Sequence, residues 1–308
     1  MSAPAVVAEQ VGRRFGAVQA VREVTLAIER GEIFGLVGPD GAGKTTLMRM
    51  LAGVLRPDAG RIMLEGIDVA AEPERAKTVL GYMPQRFGLY EDLTVDENAF
   101  FYGEIFDVPR ERYRERVARL LEAAGLAPFK RRLAGQLSGG MKQKLGLVCA
   151  LIHTPKVLLL DEPTTGVDPV SRRDFWEILY GLRDEGVTIV MSTAYMDEAQ
   201  RCGRLALLHE GQVRECATPA NLKRALSGAL LAIAGSDPRA IRAALASAPG
   251  VLGILLMGDR VHVHVDDRAL RIPELEARLA AGAVAHAPIE TVEASIEDVF
   301  VALVGEAA

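Results

Sequence analysis

The sequence predicts an α/β protein: a largely parallel sheet interrupted by a helical insert, followed by a small C-terminal α+β domain. Three observations carry this. Short continuous apolar runs alternate with helix-like segments from residue 33 to residue 191. Between residues 95 and 152 the chain becomes long, charged and helix-like. Beyond about residue 227 it shifts toward Ala and other small residues, with further strand-like runs.

The elements follow in order. Residues 23–28 alternate apolar and polar side chains, as a half-buried strand does. Residues 33–37 are continuously apolar, as a strand covered on both faces is. They lead into a Gly-rich turn and a helical pattern over 44–54. Residues 61–64 and 79–83 read as short strands. Within the insert, 110–124 is the clearest amphipathic helix, and Pro155 ends the last one. Residues 157–160 form a second buried run, 170–184 a helix and 187–191 a third buried run. A boundary falls near Thr218-Pro219, and the domains are expected at 1–226 and 227–308. In the second, 230–234, 251–257 and 261–265 look like strands. Residues 237–247 and 273–281 look like helices, and 295–304 is an amphipathic helix.

Composition narrows the classes. At 308 residues, with 49% apolar and 25% charged, the chain is an ordinary globular protein of about two domains. Lys and Arg number 36 against 41 Asp and Glu, a net charge of −5, so no nucleic acid partner is expected. Cys149, Cys202 and Cys216 are widely spaced, without a C-x-x-C pair, and read as buried thiols in a reducing compartment. No apolar run reaches the roughly 18 residues of a membrane-spanning helix. Residues 1–10 lack the basic region and apolar core of a signal peptide. A cytoplasmic location is expected, with any membrane link made through a partner.

Gly38-Pro39-Asp40-Gly41-Ala42-Gly43-Lys44-Thr45 fits G-x-x-x-x-G-K-[ST], between a buried strand and a helix. Glycines let backbone N–H groups turn inward as an anion nest, and the helix N-terminus adds partial positive charge. Lys44 is placed to put an ammonium on the β- and γ-phosphates of ATP, and the Thr45 hydroxyl to ligate Mg2+. Thr46 completes the candidate nucleotide-binding loop. The run 157–160 ends in Asp161 and Glu162. Acids at the C-terminal edge of a parallel sheet stand where ligands bind, so Asp161 is a candidate for the metal and Glu162 for polarising the attacking water.

Two further segments carry a family resemblance. Leu137-Ser138-Gly139-Gly140-Met141-Lys142-Gln143 resembles the signature loop of ABC ATPases, ahead of a helix expected near Met141. Asp161-Glu162-Pro163-Thr164-Thr165-Gly166-Val167-Asp168-Pro169 resembles the Walker B strand end running into the D-loop. With the phosphate loop these stand in the family's order and spacing, and the resemblance spans about residues 5–225. It implies a P-loop ABC ATPase core with a mostly parallel sheet, an antiparallel β subdomain and a helical insert. It also implies that Ser138, Gly139 and Gly140 bind the γ-phosphate held by another subunit's phosphate loop. By the same resemblance Phe15 stacks on adenine, Gln85 touches the magnesium and senses a membrane partner, and Asp168 contacts the opposite subunit.

There is one departure. The family's usual histidine after the third buried strand is replaced by Ala194, in Ser192-Thr193-Ala194-Tyr195-Met196-Asp197-Glu198-Ala199. Removing one preorganised donor at a developing charge typically costs ~10²–10³ in rate. His209 and His153 are poor substitutes by position. This stretch, and Asp at position 40 in place of Asn, resemble the first ATPase domain of tandem-domain multidrug exporters. Either this chain pairs with a second ABC ATPase domain that keeps its histidine, its own site being slow while its intact signature completes the fast one, or it works as a homodimer at a reduced rate, with Glu162 sufficing.

Three classes compete: an exporter ATPase serving a separate permease in the membrane, a translation-associated or other soluble ABC protein, and a weakly hydrolysing ATP-gated clamp. The translation type carries two ATPase domains, and DNA-repair members carry large or zinc-bearing insertions; neither is found here. The stretch Ala294-Ser295-Ile296-Glu297-Asp298-Val299-Phe300 resembles the tail of daunorubicin-resistance-type exporters, which favours the exporter. The chain would then be peripheral on the cytoplasmic membrane face. Residues 87–93, with Tyr90, Asp92 and Leu93 as candidate contacts, would meet the permease.

Overall fold

The computed structural model describes residues 3–86 and 88–305. Two long strands, β1 (Val6–Phe15) and β2 (Val18–Ile28), pair antiparallel with register shifts along β1. The next strand, β3 (Ile33–Val37), is buried at every residue, as its unbroken apolar run requires. The phosphate loop joins it to α1 (Lys44–Leu51). That helix stops three residues short of the expected end. Gly53 is left-handed at φ 69°, and the amides of Val54 and Leu55 both turn back to the Arg49 carbonyl.

β4 (Ala59–Leu64) and β5 (Ile67–Asp68) extend the β1–β2 pair into a four-stranded antiparallel sheet, ordered β2-β1-β4-β5. This is the expected antiparallel subdomain. After α2 (Pro73–Val79), β6 (Leu80–Met83) enters the main sheet. The insert follows as α3 (Val95–Ile105), α4 (Arg110–Ala123) and α5 (Gly139–Leu151). Thr94 and Glu97 form a reciprocal capping box on α3. Asn98, wholly buried, bonds the Tyr90 amide and the carbonyls of Tyr90, Leu93 and Thr94. Helix α5 starts two residues before the expected Met141, because the Ser138 hydroxyl caps it by accepting the Met141 amide.

β7 (Val157–Asp161), α6 (Pro169–Asp184), β8 (Thr188–Thr193), α7 (Met196–Ala199), β9 (Arg204–His209) and β10 (Gln212–Ala217) complete the succession. The main sheet has the order β10-β9-β3-β8-β7-β6, and the pairs β3/β8, β3/β9, β6/β7 and β7/β8 are parallel. Register decides what comes next. Val37 lies opposite Thr193, Met83 opposite Leu160, and Asp161 opposite Ser192. Four loops therefore leave the sheet from one edge, the edge where open parallel sheets hold ligands. Trp176 and Phe175 of α6 pack with the insert's Leu145, Val148 and Leu121 in one large core.

The chain divides into two units, one reaching Glu198 and including Cys202–Val213, the other made of Ala199–Arg201 and the residues from Arg214 on. The passage at 213–214 lies upstream of position 226, because α8 (Pro219–Ala225) packs on α11 (Ile296–Gly305) within the second unit. Also in that unit are β11 (Ala229–Ala234), α9 (Pro238–Leu245), β12 (Val251–Met257), β13 (Arg260–Val265), α10 (Arg268–Ala281) and β14 (Glu290–Thr291). Its antiparallel sheet is ordered β12-β13-β11-β14, and Leu231, Val263, Ile241 and Leu275 lie in its core. Helix α10 begins five residues before the expected position 273. Asp267 caps it through the Ala269 and Leu270 amides, which leaves Pro273 inside the helix. Cys149 and Cys202 are buried thiols, and the Cys216 thiol is half-buried.

Candidate functional site

The phosphate loop is shaped by close backbone approach. A Cβ on Gly38 would lie 2.2 Å from the Leu208 carbonyl oxygen. Gly43 sits at φ 102°, where a Cβ would come 2.4 Å from the Ala20 carbonyl oxygen, and no side chain caps the helix it starts. Only glycine fits such positions. Lys44 is buried at 3% exposure. Its ammonium donates to the carbonyls of Gly38 (2.9 Å) and Pro39 (3.1 Å) and stands 3.1 Å from Glu162 Oε1. A cation is thus folded over the loop and balanced by the acid at the end of β7.

Asp161 and Glu162 have different surroundings. Asp161 Oδ1 accepts from Thr45 Oγ1 (3.1 Å) and Ser192 Oγ (2.6 Å). Its Oδ2 is buried and has no hydrogen-bond partner. Burial raises the Asp161 pKa above its ordinary value, against the Ser192 and Thr45 hydrogen bonds, which lower it. Glu162 is left-handed at φ 49°. Its amide donates to Ser192 Oγ (2.9 Å) and to the Ser192 carbonyl (3.2 Å). Its Oε2 accepts from Gln85 Nε2 (3.0 Å) and Thr165 Oγ1 (3.5 Å).

Lys44, Thr45, Gln85 and Glu162 border one open cleft of about 1000 Å³, whose walls also include Asp40, Gly41, Ala42, Gly43, Thr46, Thr165, Ala194 and Tyr195; Asp161 is outside that lining and joins it through its bond to Thr45. The polar edge suits an anion: a free helix start, a buried ammonium and two hydroxyls. The unpartnered Oδ2 of Asp161, beside the Thr45 hydroxyl, suits a hard cation. Among the described residues no group of three or more His, Cys, Asp or Glu is placed to hold a metal. Magnesium fits that donor set, since it usually takes one or two carboxylates plus substrate phosphates.

Other expected residues lie elsewhere. Phe15 ends β1 at 48% exposure, with the Arg13 guanidinium 4.9 Å from its ring centre; its neighbours Ala17–Ala20, rather than the ring itself, line the cleft. Ser138, Gly139, Gly140 and Asp168 are likewise outside the cleft lining. They lie close to one another: a Cβ on Gly140 would come 2.5 Å from Ser171 Cβ, and the Asp168 carboxylate accepts the Val170 and Ser171 amides. Hydrogen bonds from the Ser171 side chain and amide hold the Asp168 carboxyl below its usual pKa. His153 stacks on Phe106 at 3.9 Å and meets the Leu80 carbonyl at 2.9 Å, and neither it nor His209 lines the cleft. Of residues 87–93, Phe87 lies outside the described residues; Tyr90 is 49% exposed.

Two features went unread in the sequence. Ser192 bridges Asp161 and the Glu162 amide; its only signal is a hydroxyl at the end of an apolar run. Glu198, fully buried, accepts from Thr164 and Thr193, and nothing in the sequence marks it.

The family model described as "ABC transporter" matches residues 21–165. A stretch of 209 residues is 52% identical to the "Probable multidrug ABC transporter ATP-binding protein YbhF" of Escherichia coli (strain K12), covering 68% of this chain and 36% of that relative. This chain thus spans little more than a third of that protein's length. The daunorubicin resistance ATP-binding protein DrrA2 of Streptomyces coeruleorubidus is 34% identical over 310 residues, covering 99% of this chain and 96% of the relative. The dimeric structure of a bacterial ABC transporter cassette superposes with a TM-score of 0.64 at 25% identity, covering 69% of this chain and 98% of that one.

Proposed function

This chain belongs to the family of ABC transporter ATP-binding proteins, and we propose that it is the ATP-hydrolysing subunit of an exporter. The convergence of Lys44, Glu162 and Gln85 at one cleft, with Asp161 bonded to its Thr45, carries the reading. The loop amides and Lys44 bind the phosphates of ATP. The phosphate oxygens compete with Glu162 for the Lys44 ammonium, so phosphate binding releases Glu162 to polarise water. Gln85 orients the Glu162 carboxylate through its amide nitrogen. Asp161 and Thr45 would hold Mg2+, with the Gln85 side-chain oxygen as a third candidate ligand. Bound there, the metal neutralises phosphate charge and orients the terminal phosphate. Phe15 stacks on the adenine from the cleft's rim.

Ser138, Gly139 and Gly140, lying outside the chain's own cleft, act on ATP held by a second ATPase domain, and Asp168 meets that domain. It is either another copy of this chain or a partner that keeps the histidine. The motor is peripheral on the cytoplasmic membrane face, coupled to a permease through the loop holding Tyr90, Asp92 and Leu93. The names of the two relatives, multidrug transport and daunorubicin resistance, support export. No described helix is long and apolar enough to cross a membrane.

The test is steady-state ATP hydrolysis by the purified chain, with Glu162→Gln as the blank and Ala194→His alongside. Hydrolysis above the blank supports the motor. Hydrolysis at blank level that Ala194→His raises by ~10²-fold points to a partner domain carrying the histidine. ATP binding without hydrolysis in every form would refute the motor and favour an ATP-gated clamp.

A further inference from the structure

Glu198 is the most fully enclosed acid in the first unit, at 0% exposure. Both of its oxygens are satisfied by hydroxyls, Oε1 by Thr164 Oγ1 at 2.6 Å and Oε2 by Thr193 Oγ1 at 2.8 Å. The Thr193 hydroxyl oxygen also accepts the Tyr195 amide at 3.0 Å. Arg172 of α6 stands behind. Its Nε lies 3.5 Å from Glu198 Oε1, an ion-pair distance, and its guanidinium lies over the Tyr195 ring at 4.5 Å and pairs with Asp197 at 3.3 Å. Burying a carboxylate is costly unless it is paired and fully hydrogen-bonded. Here one such group joins two segments that are far apart in sequence. Thr164 is two residues after Glu162, and Thr193 is one residue before Ala194. Glu162, Thr165, Ala194 and Tyr195 all line one cleft.

We propose that Glu198 is a positioning residue for hydrolysis, locking the segment after Glu162 to the turn that carries Ala194. The inference rests on the ATPase reading. Glu198 acts through Thr164 and Thr193 and does not line the cleft. The turn has no side-chain donor at position 194, so its backbone and Tyr195 make up that wall of the cleft, and the lock holds them from behind. Small displacements at a reacting centre cost rate far more than binding.

The test uses the full chain with Thr164→Val, Thr193→Val and the hydroxyl-retaining Thr164→Ser and Thr193→Ser. Three quantities are read: kcat and KM for ATP, equilibrium ATP affinity, and amide hydrogen exchange. Each Val variant is expected to lower kcat by about 10–100-fold while KM and affinity move less than about threefold, and each Ser variant to recover most of the loss. Exchange adds a readout that does not need hydrolysis. Thr164→Val should speed exchange at residues 194–196, and Thr193→Val at 164–168, by about tenfold, with the sheet unchanged. Three results overturn the proposal: kcat within about threefold of wild type in both Val variants, affinity and kcat falling together without Ser rescue, or exchange that stays local to the mutated segment. If neither the wild type nor Ala194→His hydrolyses more ATP than Glu162→Gln, the ATPase reading fails by itself. Cross-segment exchange then decides alone whether Glu198 couples the two segments, and its absence overturns the inference.

Discussion

Replacing Ser192 by Ala tests how the acid end of β7 is held. Ser192 Oγ donates to Asp161 Oδ1 at 2.6 Å and accepts the Glu162 amide at 2.9 Å. A hydrogen bond to a charged group contributes about 1.5–3 kcal/mol. The Glu162 amide keeps the Ser192 carbonyl at 3.2 Å, so its share of the loss is about 0.5 kcal/mol. A destabilisation of about 2–3.5 kcal/mol follows for the first unit. Trp176, the chain's one tryptophan, is fully buried in that unit and reports its unfolding by fluorescence. The loss should depend on pH. Burial already raises the Asp161 pKa above 3.8, and Ser192 is the first of the groups opposing that shift. A carboxyl with a raised pKa contributes stability below its unfolded value and loses it as pH rises through the folded one. Without Ser192 the charged form is held less well, so the deficit should be larger at pH 8 than at pH 4. The Mg2+ concentration for half-maximal hydrolysis should rise about tenfold, the usual effect of removing a group that orients a metal ligand. A loss under about 0.5 kcal/mol at pH 8, or an unmoved Mg2+ dependence, would refute this account.

Other perturbations are equally direct. Lys44→Met leaves Glu162 buried against an apolar chain and should cost about 3–5 kcal/mol, read by the same fluorescence. The pair Lys44→Met with Glu162→Gln should recover most of that stability and no hydrolysis. Gly38→Ala puts a Cβ against the Leu208 carbonyl and should abolish binding of a fluorescent ATP analogue, with a stability loss of about 3 kcal/mol. In the second unit, Arg271 and the Asp267 amide hold the Asp266 pKa down at about 2. Their contribution is present above 3.8 and lost as pH falls through about 2, so Arg271→Gln should move acid unfolding to higher pH by circular dichroism.

How much of this was legible differs by element. The phosphate loop could be read because its glycines answer to contacts that only glycine survives, and because a buried strand and a helix flank it. Asp161 and Glu162 could be read because a buried apolar run ends on them. Helix starts were less legible. Pro273 looked like a first-turn residue, yet Asp267 caps the helix earlier; Ser138 does the same for α5. The Ser192 and Glu198 contacts were not legible. Ser192 lies 31 residues from Asp161 and is brought level with it by the register of β7 against β8, and Glu198 lies 34 residues from Thr164. Phe15 was placed by resemblance alone: it stands exposed at the end of β1, and the following residues Ala17–Ala20 line the cleft.

The amide of Asn98 has a mechanical consequence. Four hydrogen bonds from one side chain shut away from water weld the loop at 90–94 to the first turn of α3. Displacing the Tyr90 backbone therefore strains bonds held by the first turn of α3, while the Tyr90 ring stands half in solvent.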